Sequence, residues 1–222
     1  MARPTRPGLR RTVALDPAHL AAFDHVRGCL TWQLRSPAAI NGEDPASLKA
    51  VWLREVSEQW GTCGQVVLRE GSPAALAIYA PPAWLPGAAR LPTAPASPDA
   101  VVLASVYVAP EHRGGGLSRL LVQAMARDLV QRADRPAAVE VFAGVGECRQ
   151  PVDYWTRLGF GVERPHAWSP RLRMELRDTV RVRAGAAIGR LAGAVRPRPV
   201  VAPQPPLGRG SGQLRRAGRT AR

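Results

Sequence analysis

The sequence predicts an α/β protein in which a mixed β-sheet carries helices on its faces. Three observations support this class. Runs of β-type residues alternate with apolar patterns of helical spacing over residues 11–178. Two of these runs flank hairpin-type turn residues at 70–73. A third run, residues 101–108, leads through a glycine-rich turn into a helical pattern, as expected for a sheet covered by helices.

The first half of the chain supplies half of the predicted elements. Residues 11–16 alternate like a strand, and residues 17–26, which begin with proline, have the apolar spacing of a helix. A second helical pattern covers residues 44–58, and residues 64–80 form the two arms of the hairpin. Residues 81–98 contain six prolines, which predicts a long loop without regular structure.

The second half shows the clearest patterns. Residues 101–108 are a strand, and an apolar stripe over residues 117–129 is typical of a long helix. A further strand is predicted at residues 137–143, and a short helix at residues 151–158, which stops at a glycine. Residues 160–163 and 171–176 can form a closing antiparallel pair.

The positive charge is concentrated at the two ends of the chain. The formal net charge is +14, but residues 12–180 are neutral because 17 basic residues there face 17 acidic ones. We therefore predict a basic N-terminal extension (1–10), a folded domain (11–178) and a tail (179–222). The tail consists mainly of Arg, Pro, Gly and Ala, a composition typical of disorder. A nucleic-acid interaction must depend on these ends, and a weak contact of the tail with nucleic acid or an anionic surface stays open.

Cysteines and apolar segments bear on location. Three cysteines, with no C-x-x-C pair, favour a reducing compartment and no structural zinc. No apolar window is long enough to span a membrane, and no apolar region follows the basic start as in a signal peptide. We therefore expect a cytoplasmic protein. One lysine against 30 arginines is typical of a GC-rich, bacterial genome.

Residues 113–118 (RGGGLS) are the most informative stretch for function. Consecutive glycines let a ligand approach the backbone, and the first turn of the following helix presents unpaired N–H groups and a positive dipole end. Such an arrangement binds phosphate or pyrophosphate. The alternative is a turn that needs glycine for its conformation alone. The P-loop pattern is absent, and Arg119 occupies the third glycine position of the dinucleotide pattern.

The stretch resembles motif A of the GNAT N-acetyltransferase superfamily, [QR]-x-x-G-x-[GA]. Arg113, Gly116 and Ser118 occupy the three specified positions, and Ser118 departs from the pattern. The resemblance extends over residues 9–177, because the hairpin precedes the motif and a strand with VEVFA and a helix with YWTRLGF follow it. It implies a mostly antiparallel sheet that splays at the coenzyme A site. It also implies direct acetyl transfer from acetyl-CoA to a primary amine in a ternary complex.

The resemblance also assigns binding residues. The main chain of Val106, Tyr107 and Val108 would hold the pantetheine arm and the thioester carbonyl. The pyrophosphate would bind the cradle, for which we predict Arg113, Gly114, Gly115, Gly116, Leu117, Ser118 and Arg119. The acceptor amine, a small molecule or a peptide, is not identified, and the chain is expected to be a monomer or a homodimer. No metal is expected, because the four histidines share no ligand spacing.

The sequence specifies the residues that transfer protons less clearly than those that bind the cofactor. Glu140 matches a position where some family members carry a general base, and apolar neighbours could raise its pKa. The alternative is an ion-paired or exposed glutamate. The family's usual acid is a tyrosine, but Trp155 occupies that position and cannot titrate. Tyr154 lies about 100° away on a helix, so we expect it to pack rather than to donate a proton.

Three further hypotheses remain open from the sequence. Cys148 could act as a nucleophile, although a lone cysteine is usually packing. The chain could bind acetyl-CoA as a regulator without turnover. It could also act chiefly as a nucleic-acid-binding protein through its basic ends, with binding that falls steeply with salt.

Overall fold

The structure, a computed structural model, describes residues 9–36, 40, 42–146 and 148–176 of the 222-residue chain. The predictions for residues 1–8 and for the basic tail lie outside the described residues. The strands are β1 (Arg10–Ala14), β2 (Gly64–Arg69), β3 (Ser72–Ala80), β4 (Ala100–Val108), β5 (Ala138–Phe142), β6 (Gly161–Arg164) and β7 (Arg171–Glu175). The α-helices are α1 (Pro17–Leu20), α2 (Asp24–Arg27), α3 (Pro45–Gln59), α4 (Leu117–Gln131) and α5 (Val152–Thr156).

The strands form one mixed sheet in the order β1-β2-β3-β4-β5-β7-β6. Only the β4–β5 pair of this sheet is parallel, and the other neighbours are antiparallel. β7 lies between β5 and β6, so the closing hairpin adds to the sheet through its second strand. The predicted fold class, a mostly antiparallel sheet with helices on both faces, is confirmed.

Each face of the sheet carries its own apolar core. On one face, α4 packs against residues such as Val101, Leu103 and Val139. On the other face, α1, α2 and α3 pack against residues such as Val102 and Ala104. Successive residues of β4 alternate between the two cores because side chains of a strand point to opposite faces. Among the described residues, no helix has the length and apolar character needed to cross a membrane.

Two predicted elements differ in the structure. The helix predicted over residues 17–26 is split into α1 and α2, because Phe23 between them has a non-helical backbone (φ −122°, ψ 77°). Leu20, Phe23 and Val26 are nevertheless all buried. The proline-rich segment 81–98 is not without structure, since it contains 3₁₀ turns at Pro82–Trp84 and Pro86–Arg90. Proline is tolerated in the first positions of such turns, where no backbone N–H donor is needed.

A bulge changes the direction of the β4 side chains before its end. Ser105 pairs with Ile78 and Leu103 pairs with Tyr79, so Ala104 is an extra residue on β4. Past this point, Val106 rather than Ser105 packs in the α4 core. The parallel ladder with β5 also ends early, at Val102 and Glu140. The second half of β4 is therefore free of β5, and its main chain borders a gap in the sheet.

Candidate active site

The glycine-rich turn connects β4 to α4. After a 3₁₀ turn at Pro110–His112, Arg113 is extended, and both Gly114 and Gly116 have the left-handed backbone (φ 74°) that favours glycine. A Cβ at Gly114 or Gly116 would have no atom within 4 Å. The space above these two glycines is therefore open to a ligand.

The helix that follows begins without a side-chain cap. Gly116 is its N-cap residue and makes no side-chain hydrogen bond, so the first-turn N–H groups of α4 have no capping acceptor from it. These N–H groups and the positive end of the helix dipole favour an anion at this position. The turn thus has the local geometry predicted for a phosphate cradle.

A cleft of about 420 Å³ lies over the cradle, and we call it the cradle cleft. It is bordered by the end of β4, the turn, the start of α4 and two residues near α5. Its lining residues are Val106, Tyr107, Val108, His112, Arg113, Gly114, Gly116, Leu117, Ser118, Gln150 and Tyr154. Eight of the ten residues predicted to bind the cofactor are among them.

The other two predicted residues have structural partners. The carbonyl oxygen of Gly115 accepts a hydrogen bond from Arg10 Nη1 (2.9 Å), which ties β1 to the turn. Arg119 Nη2 donates to the carbonyl oxygen of Arg157 (3.2 Å) and links α4 to the end of α5. Neither residue lines the cradle cleft. Arg10 itself belongs to β1, although the sequence placed it in the N-terminal extension.

Tyr154, and not Trp155, faces the cradle cleft. The Tyr154 hydroxyl donates to Ser118 Oγ (2.8 Å) at the first turn of α4, and burial raises the pKa of Tyr154. Trp155 is buried against Phe160, and its indole N–H donates to the carbonyl oxygen of Gln150 (3.1 Å). We expected Tyr154 to point away from the site and to pack; it does pack against the α4 core, but it also lines the cleft, because the larger indole of Trp155 occupies the core side of the short helix.

A second concavity of about 290 Å³, which we call the inner pocket, lies at the gap in the sheet. It shares Val106, Tyr107, Arg113 and Gln150 with the cradle cleft. Its other lining residues come from α2, β4 and the loop after β5: His25, Val26, Ser105, Gly146, Cys148 and Arg149. The end of β4 therefore borders both concavities.

Glu140 is buried at the point where the β4–β5 ladder ends. Its carboxylate accepts hydrogen bonds from Ser97 N (3.0 Å) and Ser97 Oγ (2.6 Å). Arg171 Nε and Arg173 Nη1 lie 3.4 and 3.3 Å from its oxygens. Both oxygens thus have partners, and Glu140 lines neither the cradle cleft nor the inner pocket. This geometry favours the ion-paired alternative, in which the carboxylate joins β5 to β7 and to the preceding loop.

Cys148 is half-buried in the inner pocket and belongs to a pair of thiols. A hydrogen bond to Cys29 and burial raise the pKa of Cys148, while the same hydrogen bond lowers the pKa of Cys29 to about 5. A thiol whose pKa is raised is a poor nucleophile because the thiolate is the reactive form. The described part of the chain contains no group of three or more His, Cys, Asp or Glu residues that could hold a metal ion.

Comparisons with known proteins agree with this architecture. The FR47-like protein family model matches residues 91–169, which include β4, the cradle and α5. The crystal structure of an N-acetyltransferase from Staphylococcus aureus Mu50 superimposes with a TM-score of 0.50 at 13% identity, covering 76% of this chain and 99% of that chain. A comparison with curated proteins gave no match.

A second solved structure has acetyl-CoA in it. The protein yncA from Salmonella typhimurium, with its cofactor acetyl-CoA, has a TM-score of 0.50 at 18% identity and covers 75% of this chain and 94% of that chain. The chain has the GNAT fold. The resemblance seen in the sequence is thereby confirmed for the fold.

The surroundings of Glu140 predict a large effect on stability. Glu140→Ala should lower the free energy of unfolding by about 3–5 kcal/mol, because it removes the buried partner of Arg171 and the buried acceptor of Ser97, while Arg173 keeps Asp99 and Glu175. Denaturant unfolding measures this, and Glu55→Ala on the exposed side of α3 is the control, with a change within about 0.5 kcal/mol.

The same variant separates the two roles considered for Glu140. If Glu140→Ala were as stable as Glu55→Ala but lost turnover while still binding acetyl-CoA, the general-base hypothesis would be restored.

Proposed function

We propose that this protein is an N-acyltransferase that transfers an acetyl group from acetyl-CoA to an amine in a ternary complex. The observation that supports this most directly is the pair of concavities that meet along the free end of β4. One is bordered by an anion cradle, and the other leads to the same β4 main chain from the α2 side.

The residues present suit a pyrophosphate-bearing thioester. The cradle combines open space over Gly114 and Gly116 with an uncapped helix N-terminus, and Arg113 and His112 add donors at its edge. Residues 106–108 pair with β3 on one edge but not with β5 on the other, and main-chain groups on that second edge can hydrogen-bond to the amides of an extended arm as an additional strand would. The thioester would then lie at the gap in the sheet.

In the proposed reaction, the amine nitrogen attacks the thioester carbonyl carbon, the carbon–sulfur bond breaks, and the thiolate leaves. Tyr154 is proposed to return a proton to this thiolate. A phenol is protonated at neutral pH, and burial, which raises the pKa of Tyr154, favours this neutral form. Ser118 is the motif's departure from glycine or alanine, and its Oγ accepts the Tyr154 hydrogen bond and orients the phenol.

The amine must lose a proton as it attacks, and His25 is proposed to accept it. His25 lines the inner pocket, and its ring lies 6.4 Å from that of Tyr107, between centroids. An imidazole can accept a proton at neutral pH. Glu140 is not given this role, because its oxygens are occupied by Ser97 and two arginines.

Binding of acetyl-CoA can be tested with two matched glycine variants. Gly116→Glu should abolish binding, because it puts bulk and negative charge where the phosphates are proposed to lie. Gly71→Glu is the control, since Gly71 also has a left-handed backbone and open space but lies in the β2–β3 turn. Titration calorimetry of the full chain with acetyl-CoA, with ATP as comparison, measures both.

Three results would revise the proposal. Equal affinity of the two glycine variants for acetyl-CoA would show that the cradle is not the binding site. Normal binding without transfer to any amine would favour the regulator hypothesis, and binding of ATP as tight as that of acetyl-CoA would indicate charge attraction by the basic ends.

The role of Tyr154 predicts a selective loss of turnover. Tyr154→Phe should lower kcat by about 10²-fold, the usual contribution of a positioned proton donor, with the affinity for acetyl-CoA changed by less than about 3-fold. Trp155→Phe is the control. Because Trp155 lies in the core, this variant should mainly lower the free energy of unfolding, with only a small effect on kcat. Steady-state kinetics and calorimetry measure these effects, and an unchanged kcat in Tyr154→Phe would remove Tyr154 from the mechanism.

The role of His25 predicts a deficit that depends on pH. His25→Gln should lower kcat by about 10²-fold near pH 7 and by less near pH 9, where more of the acceptor amine is already deprotonated. His19→Gln is the control, since His19 pairs with Asp16 at the start of α1 and does not line the inner pocket. A His25→Gln deficit that is the same at every pH would exclude proton transfer by this imidazole.

A further inference from the structure

A lining residue of the inner pocket has a polar atom that the described protein leaves without a partner. Arg149 Nη1 is buried and makes no hydrogen bond there. Arg149 lines the inner pocket together with Ser105 and Cys148. Buried polar atoms in folded proteins are nearly always hydrogen-bonded to protein, water or a ligand, so this atom indicates a place for a hydrogen-bond acceptor.

A neighbouring concavity repeats the pattern. It measures about 320 Å³, is lined by Trp32 and Arg149, among others, and we call it the tryptophan pocket. Trp32 is 2% exposed, and its indole N–H also lacks a partner. Arg149 is common to the two pockets. The unpartnered atoms of Trp32 and Arg149 can only donate hydrogen bonds, so the missing group must be an acceptor.

Arg149 is a cation without an acidic partner among the described residues. The contact it makes there is a hydrogen bond from Nη2 to the carbonyl oxygen of Val145 (3.2 Å). Its Nη1 lies beside Gly144, where a Cβ would be 2.9 Å away. The loop is closed by a hydrogen bond from Gly144 N to the carbonyl oxygen of Gln150 (3.0 Å). The absence of a side chain at Gly144 therefore leaves room for the guanidinium of Arg149.

Positive charge predominates among the described residues that line the inner pocket. Two of its lining residues are arginines, Arg113 and Arg149, and none of the described lining residues is acidic. A diamine would bring a second positive charge towards these guanidinium groups. A carboxylate would instead meet a planar set of donors that matches its two oxygens.

We propose that the inner pocket binds a small acceptor that carries a carboxylate as well as its amine, with Arg149 as the residue that pairs with the carboxylate. This rests on the proposed acyl transfer and adds the chemical class of the acceptor. A volume of about 290 Å³ suits a ligand of amino-acid size. The amine end lies towards the β4 main chain and His25, and the carboxylate end lies towards Arg149.

The test compares acceptors that differ by one carboxylate, and each kcat/KM refers to the concentration of unprotonated amine, because the carboxylate also lowers the pKa of the amine. The pairs are glycine with methylamine, β-alanine with ethylamine, and phenylalanine with phenethylamine, each with acetyl-CoA and the full chain. The best amino acid should have a kcat/KM at least about 10-fold above that of its decarboxylated partner, as expected for one charge-assisted pair. Arg149→Gln should remove this preference by raising KM for the amino acid, without weakening acetyl-CoA binding.

A matched control and a binding measurement keep the result interpretable. Arg127→Gln, on the exposed face of α4, should leave the preference unchanged. Because Arg149→Gln could fail to fold, saturation-transfer NMR of the wild-type protein with CoA compares N-acetylglycine with N-methylacetamide. Only the carboxylated compound should bind at millimolar concentration.

The outcomes distinguish this proposal from the acyltransfer on which it rests. Turnover of amines at rates equal to or above those of their carboxylated partners would overturn the acceptor class and leave the acyltransfer intact. Absence of turnover for every amino acid, together with no binding of N-acetylglycine to a complex that does bind CoA, would also overturn it. Failure to bind acetyl-CoA at all would instead contradict the proposed function.

Discussion

The site depends on the early end of the parallel ladder between β4 and β5. Their pairing stops at Val102 and Glu140, although β4 continues to Val108. Strands that stay paired leave no free main chain between them, whereas a strand that loses its neighbour presents unpaired N–H and C=O groups. The cradle cleft and the inner pocket both lie along this free end. The bulge at Ala104 also shapes this end of β4, because it points the side chain of Val106 towards the α4 core.

A buried polar cluster stands at the place where the ladder ends. Glu140 contacts Ser97, Arg171 and Arg173. Burying an unpaired carboxylate would cost free energy, but this one has partners from the loop before β4 and from β7. Arg173 also pairs with Asp99 (2.9 Å), just before β4 begins. These contacts hold β5 to β7 and to the start of β4. Ion pairs therefore stabilise the sheet on the β5 side of the gap, and the β3–β4 hydrogen bonds stabilise it on the other side.

Glycines and the relative positions of Tyr154 and Trp155 shape the space around the gap. Gly114 and Gly116 leave the cradle open, and Gly144 leaves room for the Arg149 guanidinium. At α5, the bulky indole of Trp155 fills the core, and the smaller phenol of Tyr154 reaches Ser118 at the cradle. The departure of Ser118 from the motif and the unexpected position of the tyrosine are thus one arrangement, since the serine hydroxyl accepts the phenol's hydrogen bond.

The sequence alone determined the fold class, most elements and the cradle, because these depend on local periodicity, glycine conformation and the start of a helix. Eight of the ten predicted binding residues line the cleft for the same reason. The surroundings of Glu140 and Tyr154 were decided by tertiary structure. Apolar neighbours in sequence do not reveal that Arg171 and Arg173 of β7 lie beside Glu140, and a 100° helical spacing does not reveal which aromatic enters the core. The pocket around Arg149 joins α2, β4 and the loop after β5, and only the folded chain brings these segments together.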